Sequence, residues 1–383
     1  MAADKIPGWW IRFCFCNISW DRLKDSTRGS RTTMNKTPKA IDLFSGAGGL
    51  TEGLKQAGYI VVGAVEIDFL ACTTYRLNHK HVKLWQTDIS RLSGVAMMKA
   101  LNLRRGDLDL LAACPPCQGF STMRTRNGAK RNCDRRNDLI FHVLRIIRSM
   151  KPKSIMLENV PGLGGDRRYN VFVKGLKSLG YHIRDGVLNT ADFAVPQRRR
   201  RLVLLASKIR TPEFAPKAIK RRTVVWAIRK LTPPERSRDP LHNYPTRRSK
   251  KVQDLIRRIP QNGGSRKALG MEDQLPCHKR LDGFKDVYGR MAWSEQAPTI
   301  TGGCINPSKG RFLHPQENRA ITLREAALLQ TFPKAYRFPL SHGRYPVALL
   351  IGNALPPEFI RRHAASLRES TGLGPGSIRP VAA

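Results

Sequence analysis

The apolar run Leu108-Asp109-Leu110-Leu111-Ala112-Ala113 stops at Cys114-Pro115-Pro116-Cys117, and no other stretch constrains the chain as tightly. A run this short and this apolar predicts a buried strand. Neither proline can donate to a ladder, so the strand ends there. Cys117 is thereby set just beyond the carboxyl end of a strand, where open α/β sheets bind their ligands. The same arrangement recurs along the chain. Lys39 to Phe44, Ile60 to Val65, a run ending near Thr87, Ile155 to Leu157, Tyr181 to Leu188 and Leu202 to Ala206 read as further strands. A chain of 383 residues buries a sizeable core and fits two domains, or one with an insertion.

The first strand runs into a glycine-rich turn, Phe44-Ser45-Gly46-Ala47-Gly48-Gly49, and then a helix from about Leu50 to Gln56, which Gly58 is placed to end. Glycines there permit tight turning and close approach of backbone to a ligand at a helix amino terminus. Taken alone, such a turn also serves NAD enzymes or simple packing. The second strand ends in Glu66-Ile67-Asp68, about 20 residues after the glycines, where a carboxylate can accept from ribose hydroxyls. Asp88, beside Ile89 at the end of the third strand, could accept from an adenine amine. Each acid has an ordinary alternative as a helix cap or a solvated loop charge. NAD is disfavoured, because the next strand delivers the Cys117 thiol in place of a hydride-transfer site.

Two more strand ends carry polar chemistry. Ile155-Met156-Leu157 leads into Glu158, and a carboxyl group in a closed pocket can donate a proton or a strong hydrogen bond. The polar run Gln197-Arg198-Arg199-Arg200-Arg201 lies between two apolar strands, where guanidinium forks could hold an oxygen, a phosphate or the acid. Cys114 and Cys117 are formally a Cys-x-x-Cys pair. No second paired-cysteine motif supplies the further ligands zinc needs, so no metal is expected, and Cys114 reads as a small packing residue.

Five segments, in order, carry a family resemblance: Asp42 to Gly49, Ala113 to Ser121, Glu158-Asn159-Val160, Gln197 to Arg201, and Gly352-Asn353-Ala354-Leu355-Pro356-Pro357. Together they resemble the DNA cytosine-5 methyltransferases of the bacterial, sequence-specific type, over roughly residues 38 to 365. The resemblance implies a doubly wound, mixed α/β sheet of about seven strands, of the S-adenosylmethionine-dependent methyltransferase type, with a smaller irregular target-recognition domain. It implies a covalent adduct between Cys117 and carbon 6 of a cytosine flipped out of duplex DNA, assisted by Glu158, Arg199 and Arg201. It implies S-adenosyl-L-methionine, leaving as S-adenosyl-L-homocysteine, held by Phe44, Ser45, Gly46, Ala47, Gly48, Glu66, Ile67, Asp88, Ile89, Pro116 and Asn353. The basic stretch Thr122 to Arg136 would close over the DNA. Thr322 to Gln330, with Glu325 three residues after Thr322, predicts a short helix opened by a capping box.

The expected division is an extension over residues 1–37, a catalytic and cofactor domain over 38–207, a target-recognition domain over 208–335, and a return segment over 336–383. Lys and Arg outnumber Asp and Glu by 68 to 29, a net charge of +39 that calls for a polyanionic partner. Double-stranded DNA fits better than an anionic membrane, and no apolar run of about 18 residues is present. Trp9, Trp10, Ile11, Phe13 and Phe15 are interrupted before they resemble a secretory signal. The eight cysteines match no secreted disulfide framework. An intracellular monomer is expected, cytoplasmic or nucleoid-associated in a bacterium, with a restriction endonuclease as a genetic partner. Two rivals remain: a tRNA cytosine-5 methyltransferase on the same fold, and a catalytically silent DNA-binding protein.

Overall fold

In a computed structural model of the chain, residues 37–116, 135–270 and 286–373 are described. Cys117, the expected closing segment as far as residue 134, and the extension as far as residue 36 lie outside the described residues, as does 271–285 of the insert. Seven strands, β1 (Lys39–Leu43), β2 (Ile60–Glu66), β3 (Lys83–Gln86), β4 (Leu110–Ala113), β5 (Ser154–Asn159), β6 (His182–Asn189) and β7 (Arg200–Ser207), form one sheet in the order β3-β2-β1-β4-β5-β7-β6. The first five neighbours pair in parallel, and β7 runs antiparallel between β5 and β6. The mixed, doubly wound sheet expected from the sequence is therefore present. Its order reverses between β1 and β4, the switch point at which such sheets leave a crevice.

Register decides what meets at that crevice. Leu43 pairs with Ala113, Ala113 with Leu157, and Leu157 with Leu204. Phe44, Cys114 and Glu158 therefore leave the sheet at one level, and Arg201 lies just past the partner of Asn159. Along β4 the side chains alternate between two cores, as a sheet covered on both faces requires. Leu111 and Ala113 pack with α3 (Gly94–Leu101), α4 (Leu139–Met150) and α5 (Arg167–Ser178). Leu110 and Ala112 pack with α1 (Gly49–Gln56) and the last helix of the chain. Helix α2 (Phe69–Asn78) follows β2 and begins at Asp68, whose side chain caps it by accepting from the Ala71 N–H.

Beyond β7 the chain is irregular, with α6 (Val224–Ile228), α7 (Lys250–Arg258), α8 (Leu323–Leu329), α9 (Arg344–Asn353) and α10 (Pro357–Ser370). Thr322 and Glu325 form the expected capping box at α8. A third core joins Val224, Met291, Ile300, Phe312, Leu329 and Val347. Among the described residues no helix is long and apolar enough to cross a membrane.

Arg290 holds much of the irregular region in place. It is fully buried, and its guanidinium donates to the carbonyls of Ile256, Ile259, His314 and Glu317 and to Asn318 Oδ1, at 2.6 to 3.2 Å. Burial lowers its pKa from the usual guanidinium value. A lysine keeps the charge but lacks the planar fork, so it leaves buried carbonyls unsatisfied. Arg290→Lys should lose about 2 kcal/mol or more of stability, since each orphaned buried acceptor costs roughly 1–3 kcal/mol. Urea unfolding monitored by tryptophan fluorescence measures the loss, and a midpoint equal to wild type contradicts it.

Candidate active site

The turn after β1 is shaped from three sides. Phe44 and Gly46 both take left-handed backbone angles, φ 63° and 53°. The Gly46 N–H donates to Glu66 Oε2 at 2.8 Å, while Glu66 Oε1 accepts from the N–H groups of Ile67 and Asp68. Three backbone donors thus fix the carboxylate at the end of β2. Gly48, φ 91°, has no room for a side chain, since a Cβ there would lie 2.5 Å from His79 and 2.6 Å from Tyr336. Tyr336, from the far end of the chain, donates its hydroxyl to the Ala47 carbonyl at 2.6 Å.

These residues fit a nucleoside-bearing cofactor on three observations. A Cβ at Gly46 would meet nothing within 4 Å, so the turn faces open space. The Ser45 hydroxyl is buried without a partner. Ile67 and Phe69, large and apolar, are 64% and 61% exposed at the mouth. Exposed apolar surface beside convergent polar groups is the usual lining of a ligand site. Asp88 caps a short 3₁₀ turn by accepting from the Ser90 N–H at 2.8 Å, and that bond chiefly holds its pKa down. Ile89 is buried in the core, its carbonyl held by Arg145.

Across the switch point, Asn159 Nδ2 donates to the Pro115 carbonyl at 2.9 Å, pinning the turn after β4 to the end of β5; Pro116 is half-buried there. Glu158 is 2% exposed. Its Oε1 pairs with Arg201 Nε at 2.8 Å, and its Oε2 accepts from the Cys114 thiol at 2.9 Å. Cys114 is thus more than the packing residue expected: burial first, then the Glu158 charge, push its pKa well up, so it stays a protonated donor. Cys117, two residues past Pro115, lies outside the described residues.

Arg199 and Arg201, the two arginines of the 197–201 run expected in the site, part company. Arg201 touches Glu158, whereas Arg199 Nη1 donates to the carbonyls of Ile300 and Gly352, each at 3.0 Å. Burial, then the neighbouring Arg201, lowers the Arg199 pKa to about 9. Gln197 joins the same network, donating to Gln330 Oε1 at 2.7 Å and accepting from the Ile300 N–H. Gln330 in turn donates to the carbonyls of Ile351 and Ala354. Asn353, exposed at the end of α9, is positioned by this network on either side of it. Sequence reasoning missed Gln330 and Ile300. The only signal for Gln330 was a polar residue closing an apolar helix.

A sheet ending in a glycine turn, a fixed carboxylate and an open apolar rim at its switch point defines a methyltransferase of the S-adenosylmethionine-dependent fold. The solved structures agree. A protein encoded within an E. coli prophage, described as a DNA modification methyltransferase, superposes with a TM-score of 0.67 at 24% identity, covering 87% of this chain and 99% of that one. The Dnmt2 methyltransferase of S. pombe gives 0.56 at 20% identity, covering 87% and 98%. The family is fixed by sequence. The profile of the C-5 cytosine-specific DNA methylases matches residues 38–369. The type II methylase M.HgiDII of Herpetosiphon aurantiacus is 36% identical over 347 residues, 86% of this chain and 94% of its own. The type II methyltransferase M1.BsuMI of Bacillus subtilis strain 168 is 32% identical over 364 residues, 89% and 82%. The chain belongs to the C-5 cytosine-specific DNA methylase family.

Beneath the glycine turn, Asp42 accepts from the Thr51 hydroxyl at 2.7 Å, and its other oxygen has no partner. Burial is the main cause that raises its pKa to about 7. Between about pH 4 and pH 7 the folded chain therefore holds a proton that the unfolded chain has lost, so this group's contribution to stability falls as pH rises and levels off above 7. Asp42→Asn removes that slope. Relative to wild type it should gain up to roughly 4 kcal/mol across the window, seen as a difference in denaturation midpoints that grows from pH 5 to pH 8. A constant difference contradicts the assignment.

Proposed function

We propose that the chain transfers a methyl group from S-adenosyl-L-methionine to carbon 5 of a cytosine flipped out of duplex DNA at a specific sequence. The carrying observation is the buried Glu158 carboxylate, gripped by Arg201 and Cys114 at the level where the Pro115–Pro116 turn leads to Cys117. Bound cofactor supplies an electrophilic methyl group, with Phe44, Ser45, Gly46, Ala47, Gly48, Glu66, Ile67, Asp88, Ile89, Pro116 and Asn353 as its proposed holders.

Carbon 5 of cytosine is a poor nucleophile, because the ring is aromatic. The Cys117 thiolate adds to carbon 6 as Glu158, entering this step in its acid form, supplies a proton to ring nitrogen 3, and the displaced electron pair makes carbon 5 an enamine carbon able to accept the methyl. Once carbon 5 carries the methyl, with S-adenosyl-L-homocysteine as the leaving group, water takes the carbon 5 proton, the thiolate is expelled from carbon 6, and ring nitrogen 3 returns its proton to Glu158. Covalent catalysis here splits one hard step into two easier ones. Arg201 orients Glu158, and Arg199 is a positioning residue that braces the Ile300 and Gly352 segments. A duplex hides the target carbon, so the base is flipped out at a cost of a few kcal/mol. Residues 208–335 are proposed to read the site. A monomer inside a bacterial cell, with a restriction endonuclease as genetic partner, suits the type II names of the relatives. Those names favour DNA over tRNA as substrate.

Cys117→Ser should abolish methyl transfer and leave cofactor binding intact. A duplex carrying 5-fluorocytosine should trap the wild type, and peptide mapping should find the adduct on Cys117; an adduct on Cys114 rejects the mechanism. Glu158→Gln should slow single-turnover transfer by about 10²–10⁴-fold, the scale of a positioned acid. A rate within threefold of wild type removes Glu158 from the chemistry. Arg199→Met should instead weaken calorimetric binding of S-adenosyl-L-homocysteine by about tenfold, one lost hydrogen-bonded brace, while the fluorocytosine trap still forms on Cys117.

A further inference from the structure

At the end of the sheet opposite the crevice, three loops bring basic side chains together. They are the connection from α3 to β4, the connection from α4 to β5, and the exit of β7. Arg104 and Arg105 come from the first, Lys151 and Lys153 from the second, with Arg148 in the turn of α4 that leads into it, and Lys208 from the third. The loops are bonded to one another: Arg105 Nη2 donates to the Arg148 carbonyl at 3.1 Å, the Gly106 N–H to the Met150 carbonyl, and the Lys208 N–H to the Lys153 carbonyl. Two acids lie among these six cations. Asp109 pairs with Lys153 at 2.7 Å, and Asp107 lies 3.7 Å from Arg104. Among the described residues, no carboxylate pairs with Arg105, Arg148, Lys151 or Lys208.

Several arginines elsewhere on the surface do have acids beside them. Arg184 sits against Glu213, Arg168 against Asp138 and Asp166, Arg221 against Asp192, and Arg257 against Asp254. Here like charges face each other: burial, then Lys151 and Arg105, hold the Lys208 ammonium below its usual pKa. The Lys208 ammonium also lies over the Tyr181 ring, 5.2 Å from its centroid. Lys151 adds a second oddity. It ends α4 in the left-handed region, φ 47°, where glycine or asparagine is the easier residue. A lysine occupies that position against local preference.

This face is not part of the crevice. β7 carries Arg201 near one end and Lys208 just past the other, seven residues or about 23 Å apart in an extended strand. We propose that this cluster is a second binding surface for the phosphate backbone of duplex DNA, so that the protein can hold one DNA segment for methylation and another on its opposite face. The inference rests on the reading that the chain acts on DNA. An unneutralised basic surface takes a polyanion, and the polyanion the enzyme already holds is long enough to present both segments at high local concentration.

The test uses the full chain saturated with a short fluorescent duplex that contains its methylation site, as located by bisulfite sequencing. A biotinylated duplex without the site is then added, and co-captured fluorescence is measured on streptavidin. Wild type should bridge the two duplexes, with log capture falling against log salt at a slope of about −3 if three or four phosphates are engaged. Arg105→Gln/Arg148→Gln/Lys151→Asn should reduce co-capture at least fivefold, while methyl transfer to the short duplex stays within twofold. Lys151→Asn suits the left-handed position, so a loss of bridging with an unchanged or higher melting temperature excludes mere unfolding. Equal bridging by the variant overturns the proposal, as does wild type that holds one duplex only. Capture of anionic phospholipid vesicles without capture of the second duplex overturns it too. Wild type that methylates no DNA would instead refute the proposed function, read from the transfer assay alone.

Discussion

A buried polar network at the carboxyl end of the sheet ties together segments that are far apart in the chain. Gln197 and Arg199 precede β7, yet their bonds go to Ile300, Gln330 and the Gly352 carbonyl. None of these partners carries a charge opposite to Arg199, so its hydrogen bonds all go to carbonyl dipoles, with the Glu158 carboxylate as a nearby stabilising charge, and removing any one partner leaves a buried group unsatisfied. The irregular region has little ladder hydrogen bonding to define its path. Its position against the sheet is set largely by these few side chains. Arg290 works by the same principle farther out, gathering four carbonyls from two stretches of chain.

The Glu158 site depends on this framework for its geometry. Strand register delivers Phe44, Cys114 and Glu158 to one level, but register alone does not orient side chains. Orientation comes from Arg201 on one carboxylate oxygen and the Cys114 thiol on the other. A carboxylate clasped on both oxygens has little rotational freedom, which is what the proposed proton transfer to a fixed ring requires.

Much of the fold was legible in the chain, because short apolar runs ending in proline, acid or glycine mark strand ends whatever the rest does. β4 and its Pro115–Pro116 stop, the helix after the glycine turn, and the Thr322–Glu325 capping box are all local signals, and local signals survive in sequence. What could not be read was any interaction spanning long separations. The division of labour between Arg199 and Arg201 is one case, since adjacent arginines in a run look alike until their partners are known. Cys114 is another: its thiol reaches an acid 44 residues away, and nothing nearby distinguishes it from a filler. Arg290 sat unnoticed among many basic residues because its role lies in neutral acceptors, which leave no pattern.

The pairing of the first helix with the last has a consequence for synthesis on the ribosome. Gly53 of α1 lies so close to α10 that a Cβ there would be 2.5 Å from Ile360, and Arg368 of α10 donates to the carbonyls of Ala57 and Gly58. One face of α1 therefore has no cover until about 300 further residues have emerged, which at about 5–20 residues per second is on the order of 15–60 seconds. During that interval the nascent chain carries an exposed apolar helix and an incomplete pocket, so no fragment ending before α10 reaches its final packing. α10 must therefore emerge before the protein can mark DNA.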